Sequence, residues 1–250
     1  MGIPVVECIR SNHAAEGAAA IHTKMVFGSM SATVRLDATL ADRVCLAMIS
    51  GEGVVVRPHD PAVWQEVDRA AVAYRARFAG KQPGEIAELQ PARELYRRTG
   101  EDPTKLRPSS EALLRRVLRG EALYRINSLV DTCNLCSLEF LLPIGLYDSN
   151  RIRGEVAARL GRTSESYESL GKGVYAVEGR LALFDEDGPF GSPTNDSRRT
   201  AITEATTHCV MVIFAPASYP RVRLVQHAGH AGDRLRAFAS ARAVGQVLVP

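Results

Sequence analysis

The apolar positions change period along the chain, and the change divides it into two textures. From Pro61 to about Ala79, Val63, Val67, Ala70, Ala71, Tyr74 and Phe78 recur at three- and four-residue steps. This predicts an amphipathic helix with Asp60 as N-cap and Gly80 as stop. A second helical pattern covers Glu85 to Arg98, bent near Pro91 and closed by Gly100. Ser109 is expected to cap a third helix that ends at Gly120, with Glu111 in the first turn where the dipole favours an acid. Ser128 opens a fourth, with Asp131 as capping-box partner, and Pro143 prevents continuation beyond about Phe140. After Asp148 the texture turns to β: Glu155 to Leu160, Gly173 to Val177 and Arg180 to Phe184 predict strands. The unbroken apolar run Cys209 to Phe214 predicts a central strand buried on both faces. Asp233 to Ala243 predicts a final amphipathic helix. Upstream, residues 32–36 alternate like a strand, and Arg43 to Ile49 and Val54 to Arg57 predict short strands around the turn at Gly51 to Gly53. The sum is an α+β fold, a mixed β-sheet with helices packed against it. Residues 1–90 are expected to form an N-terminal extension integrated with a main domain over 91–250.

At 250 residues and 46% hydrophobic, the chain can bury a sizeable core in one large domain. No apolar run reaches the roughly 20 residues a bilayer demands, and the first residues lack the basic-then-apolar pattern of a secretory signal. A cytoplasmic protein without membrane contact is expected. Five scattered cysteines, at 8, 45, 133, 136 and 209, argue against a disulfide framework. The net charge of +3 is too small to declare a nucleic-acid footprint on its own. Cys133-x-x-Cys136 has no second ligand pair at zinc spacing, so both read as small core residues. His227 and His230 read as a flexible surface pair. No metal and no cofactor are expected, and no P-loop, GxGxxG or GxSxG motif is present.

The polar residues Asn127, Asp131 and Asn134 lie among Ile126, Leu129, Val130, Leu135 and Leu138. Amides and carboxylates among leucines are costly unless they bond backbone groups or a polar ligand. The ordered run Ile126-Asn127, Val130-Asp131, Asn134, Pro143, Tyr147-Asp148, then Ile152 and Gly154, resembles the tRNA-binding editing domain of the phenylalanyl-tRNA synthetase beta chain. The Gly188-Pro-Phe-Gly191 segment and the strand entered through Thr206-Thr207 fit the same pattern. The similarity covers about residues 90–216 and implies a free-standing, editing-domain-like relative. In that family the domain hydrolyses the ester of a wrongly charged amino acid on tRNA. Two positions depart: Gly145 stands where the synthetases carry a histidine, and Ser192 where an acidic residue is expected.

The expected activity is therefore hydrolysis in trans of the ester of mischarged aminoacyl-tRNA. The alternative is a non-catalytic module that holds a free amino acid, a small metabolite or tRNA. For catalysis the candidates are Asp196 as base, His208 as second choice, and Gly191, whose backbone can approach an oxyanion. Asn127, Asp131, Gly145, Ser192, Asn195 and Arg198 are candidates for substrate binding. Lys105, Arg107, Arg115 and Arg119 are candidates for tRNA phosphates. The expected partner is the tRNA acceptor end with its attached amino acid, and the chain is expected to be a monomer or a homodimer.

Overall fold

The computed structural model of the chain describes residues 20–27, 30–171 and 173–249, with side chains from residue 33. The expectations for the first residues, Cys8 included, lie outside the described part. The elements in chain order are β1 (Ala20–Phe27), β2 (Met30–Asp37), β3 (Val44–Glu52), α1 (Pro61–Arg77), α2 (Gln90–Arg98), α3 (Ser109–Leu118), α4 (Ser128–Phe140), β4 (Ile144–Asp148), β5 (Val156–Leu160), β6 (Ser166–Glu168), β7 (Val174–Ala176), β8 (Leu181–Asp185), β9 (Gly188–Gly191), β10 (His208–Pro216), α5 (Arg221–Ala239) and β11 (Ala243–Val249).

The strands form two sheets and a small ribbon. The first sheet runs β1-β2-β5-β8-β9, the second β11-β3-β10-β4, and β6 pairs with β7. Only β2 and β5 pair in parallel among the described strands, so the architecture is α+β with mixed pairing. The run Cys209 to Phe214 becomes β10, flanked by β3 and β4. Its side chains alternate between two buried layers. Val210, Val212 and Phe214 pack between the sheets with Val34, Leu36, Leu183 and Phe190. Cys209, Met211, Ile213 and Ala215 pack against Leu129, Cys133, Phe140 and Leu235 of the helical layer. A strand covered on both faces has no polar face to show, which is why its sequence does not alternate.

α4 is likewise covered on two sides. Leu129, Cys133, Cys136 and Phe140 face the second sheet, whereas Leu135 and Leu138 face α1 and α3. β3 lies between β10 and β11 in the second sheet, and α1 packs on α4.

Several elements depart from the sequence expectation. Val54 to Arg57 is extended but belongs to no sheet; the N–H groups of Val54 and Val55 donate to Thr207 O and Ala239 O at 2.9 and 2.8 Å. Pro91 does not bend a helix but sits in the first turn of α2, where its missing N–H costs nothing. Ser109 does not cap α3, because its hydroxyl donates instead to Pro193 O at 3.3 Å. α5 begins at Arg221, twelve residues before the expected start, so His227 and His230 are helical rather than flexible. Gly229 and Gly232 disguise that helix, and Gly232 permits close approach to β11: a Cβ there would lie 2.9 Å from Val244 Cγ1. β11, AVGQVLV, is too weakly apolar for local pattern to signal it.

Candidate functional site

β4 is one edge strand of the second sheet and β9 one edge strand of the first. The two edges meet around Tyr147. A Cβ built on Gly145 would lie 2.0 Å from Tyr147 Oη, and one built on Gly191 would lie 2.2 Å from it. The phenol thus fills the space in front of both glycines, with its ring edge-on to Phe190 at 5.0 Å. Gly145 and Tyr147 are i and i+2 on one strand, so their side chains share a face. Glycine at 145 is what lets the ring lie along the strand, and a histidine at 145 is incompatible with this placement of Tyr147.

The segment after β9 is a partly buried turn held by hydrogen bonds. The Ser192 N–H donates to Asn195 O at 2.9 Å, and Ser192 Oγ accepts from the N–H groups of Thr194 and Asn195 at 3.2 and 3.0 Å. Tyr96 Oη donates to Pro193 O at 3.0 Å, and Tyr167 Oη donates to Asn195 O. Asn195 Oδ1 accepts from the Asp196 N–H at 2.9 Å.

Asp196 faces inward from this turn. The residue keeps some exposure, yet its Oδ1 is enclosed and has no hydrogen-bond partner among the described residues. Burial pushes its carboxyl up to about 7, against the opposing pull of the Tyr147 hydroxyl and the Leu146 N–H. Tyr147 Oη is also buried without completing a hydrogen bond. Glu101, Ser110 and Tyr175 carry the other enclosed, unpartnered atoms of the described residues. Ser110 follows Ser109, which bonds Pro193 O, and the Tyr175 ring lies 5.4 Å from that of Tyr167. Burial pushes the Glu101 carboxyl up to about 7 as well, with Arg180 at 3.7 Å opposing it.

Other sequence candidates are placed elsewhere or committed to structural bonds. Asn127 is the N-cap of α4 and accepts from the Val130 N–H at 2.9 Å. Asp131, 2% exposed, accepts from Trp64 Nε1 at 2.8 Å and from the Ile126 N–H at 3.0 Å. Its helical phase is that of Leu135 and Leu138, so it faces α1, whereas the sheet-facing Cys133 is the α4 residue within electrostatic reach of Asp196. The capping box expected at Ser128 is replaced by the Asn127 cap, because Ser128 Oγ accepts from the Arg57 N–H. His208 opens β10 with Nδ1 at 2.9 Å from Thr207 Oγ1. Asp196 is bridged instead to Gly191 of β9, and no hydrogen bond or ion pair joins it to His208 among the described residues. The two do not form an acid–base pair here. Arg198 donates to Ser169 O and Gly171 O at 3.0 and 3.4 Å and tethers the β6–β7 ribbon.

The cations cluster on α3. Glu111, 1% exposed, is gripped by Arg93 through two bonds of 2.7 and 2.9 Å, with Arg107 and Arg115 each at 3.8 Å. Three guanidinium groups share one carboxylate, which leaves local positive charge at the surface. Arg119 pairs with Glu121 at 2.6 Å, and Lys105 is exposed. Cys133 and Cys136 are buried in the helix–sheet core, and burial raises both thiols, so neither presents a thiolate. Among the described residues no three His, Cys, Asp or Glu side chains gather as metal ligands would. His227 stacks on Phe140 at 4.2 Å with Nε2 3.0 Å from Tyr219 Oη, while His230 bonds Glu139 at 3.0 Å, so the two histidines serve different partners. No described helix is long and apolar enough to cross a membrane.

Comparison with known proteins sets this arrangement in a family. Over 96 residues the chain is 30% identical to the phenylalanine–tRNA ligase beta subunit of Paramagnetospirillum magneticum. That stretch is 38% of this chain and 12% of the ligase subunit, so the chain spans a small part of that relative. The crystal structure of an N-terminal fragment of the phenylalanyl-tRNA synthetase beta-subunit from Pyrococcus horikoshii aligns with all of this chain and 57% of that one, at 13% identity and a TM-score of 0.44. Residues 91–228 match the B3/4 domain, and since that is more than half of its length, the chain belongs to the B3/4 domain family.

Proposed function

We propose that this chain binds the acceptor end of a mischarged aminoacyl-tRNA and hydrolyses its ester in trans. The carrying observation is the double attachment of α3. Its first residue, Ser109, bonds the Pro193 carbonyl of the turn that bears Asp196, and two residues on Glu111 gathers Arg93, Arg107 and Arg115. A cationic surface and an inward-facing carboxyl are thereby fixed to one short helix. That is the juxtaposition a charged backbone with a reactive end requires.

An aminoacyl ester needs a positioned water and a polarised carbonyl. The water oxygen attacks the carbonyl carbon, the bond to the ribose oxygen breaks, and the ribose leaves as a hydroxyl, giving a free amino acid and uncharged tRNA. The ribose hydroxyl next to the ester helps to hold the water, and Asp196 takes its proton. A carboxyl raised to about 7 suits that exchange at neutral pH better than an ordinary aspartate. The backbone N–H of Gly191 is the proposed partner of the carbonyl oxygen.

The test is a panel of mischarged tRNAs incubated with the protein. Ester loss above the spontaneous rate for at least one tRNA is expected, falling about 100-fold or more in Asp196→Asn. An uncatalysed rate throughout the panel overturns the proposal, and tight binding of an amino acid or tRNA without turnover would make the chain a binding module instead.

A further inference from the structure

We infer that Tyr147 is the positioning residue for Asp196: its hydroxyl, held in the space that Gly145 and Gly191 leave open, is the side-chain donor that orients the Asp196 carboxyl. Three observations carry this. The first is enclosure. Tyr147 is fully buried, its ring is fixed edge-on by Phe190, and the phenol end sits where a Cβ at 145 or 191 would be. The hydroxyl therefore has little freedom to turn elsewhere. The second is position. Asp196 is bridged to Gly191, the same glycine against which Tyr147 Oη lies, and Tyr147 Oη and Asp196 Oδ1 are both enclosed without another partner among the described residues; a buried phenol and a buried carboxyl left apart each carry a desolvation penalty that mutual bonding removes. The third is the identity of the neighbours. The side chains that bear electrostatically on the pair are Tyr167, from β6, and Cys133, from α4; both belong to neutral groups whose own ionisation is pushed up, and no cation is among them. With Leu146 supplying a backbone N–H from β4, Tyr147 is left as the side-chain hydroxyl that favours the carboxylate form.

The two glycines then have one purpose in common. Together they admit a phenol between two sheet edges, and the phenol sets the proton affinity of the carboxyl beyond it. The kinetic consequence rests on the deacylase reading above, but the titration does not, so the two can fail separately.

The experiment follows the Asp196 carboxyl by carbon-13 NMR as pH is varied, in the wild-type chain, in Tyr147→Phe and in Gly145→Ala. Tyr147→Phe keeps the ring and so keeps the packing. Its Asp196 midpoint is expected about one pH unit higher, since a donor to the charged form is lost. Gly145→Ala, which pushes the phenol aside, should shift the midpoint the same way. The rising limb of kcat/KM against pH should move with it in Tyr147→Phe, and the high-pH plateau should survive. An unmoved or lowered midpoint in Tyr147→Phe overturns the inference whether or not the chain hydrolyses esters. A raised midpoint with no ester hydrolysis by the wild-type chain upholds it and removes the deacylase reading alone.

Discussion

Gly145 illustrates how one residue can be decided by its neighbour. Replacing it with alanine sets a methyl group 2.0 Å from Tyr147 Oη, so the ring must shift within a packed core. A loss of about 2 kcal/mol is expected in urea denaturation, and it should shrink when Tyr147 is first replaced by leucine. Asp196 and Glu101 make a second residue-scale prediction. Both folded-state carboxyls are raised to about 7, from 3.8 and 4.5. Between those limits the folded chain holds more protons than the unfolded one, so stability falls as pH rises from about 4 to about 7. The melting temperature should drop across that window, and Asp196→Asn should flatten the drop in part. A melting temperature that rises from pH 4 to 7 would contradict the burial of both groups. At this scale the sequence named Asp196 and the glycines through resemblance and turn chemistry. It marks Tyr147 as part of the ordered motif but gives no sign that its hydroxyl lies against both Gly145 and Gly191, because that contact joins two different sheets.

The elements show where local pattern suffices. α1, α4 and β10 follow from periodicity, caps and an unbroken apolar run, all of which act within a few residues. α5 and β11 were displaced or missed because Gly229, Gly232 and the weakly apolar tail have no local preference strong enough to declare them. Packing of Leu224, Ala228, Ala231 and Leu235 against the second sheet supplies it. Asn127 and Asp131 belong here too: the sequence marked them as polar groups needing partners, and the partners are backbone and Trp64. Asp131→Ala leaves the buried Trp64 Nε1 without an acceptor and removes the acceptor of the Ile126 N–H. A destabilisation of about 3 kcal/mol is expected by urea denaturation, with the ester-hydrolysis rate of the folded fraction unchanged. A large rate loss at full stability would instead place Asp131 in the substrate's path.

At the scale of the molecule, charge is organised around Glu111. Neutralising Arg107 and Arg115 together should weaken tRNA binding and reduce the slope of log affinity against log salt by about two. An unchanged slope would remove these two arginines from the proposed tRNA contact. The same scale separates what was legible in sequence from what was not. The chain's own residues determined the α+β class, the helical middle, the buried central strand and the membership signalled by the ordered motif from Ile126 to Asp148, because these depend on period, caps and spacing along the backbone. Only the tertiary structure decided that the described strands form two sheets and a ribbon, that edge strands of the two sheets meet at Tyr147, that Asp131 turns to Trp64 of α1 while Asp196 turns inward, and that His208 pairs with Thr207. The first three rest on register and on contacts between residues tens of positions apart, and neither hydrophobic period nor local propensity carries information over that distance.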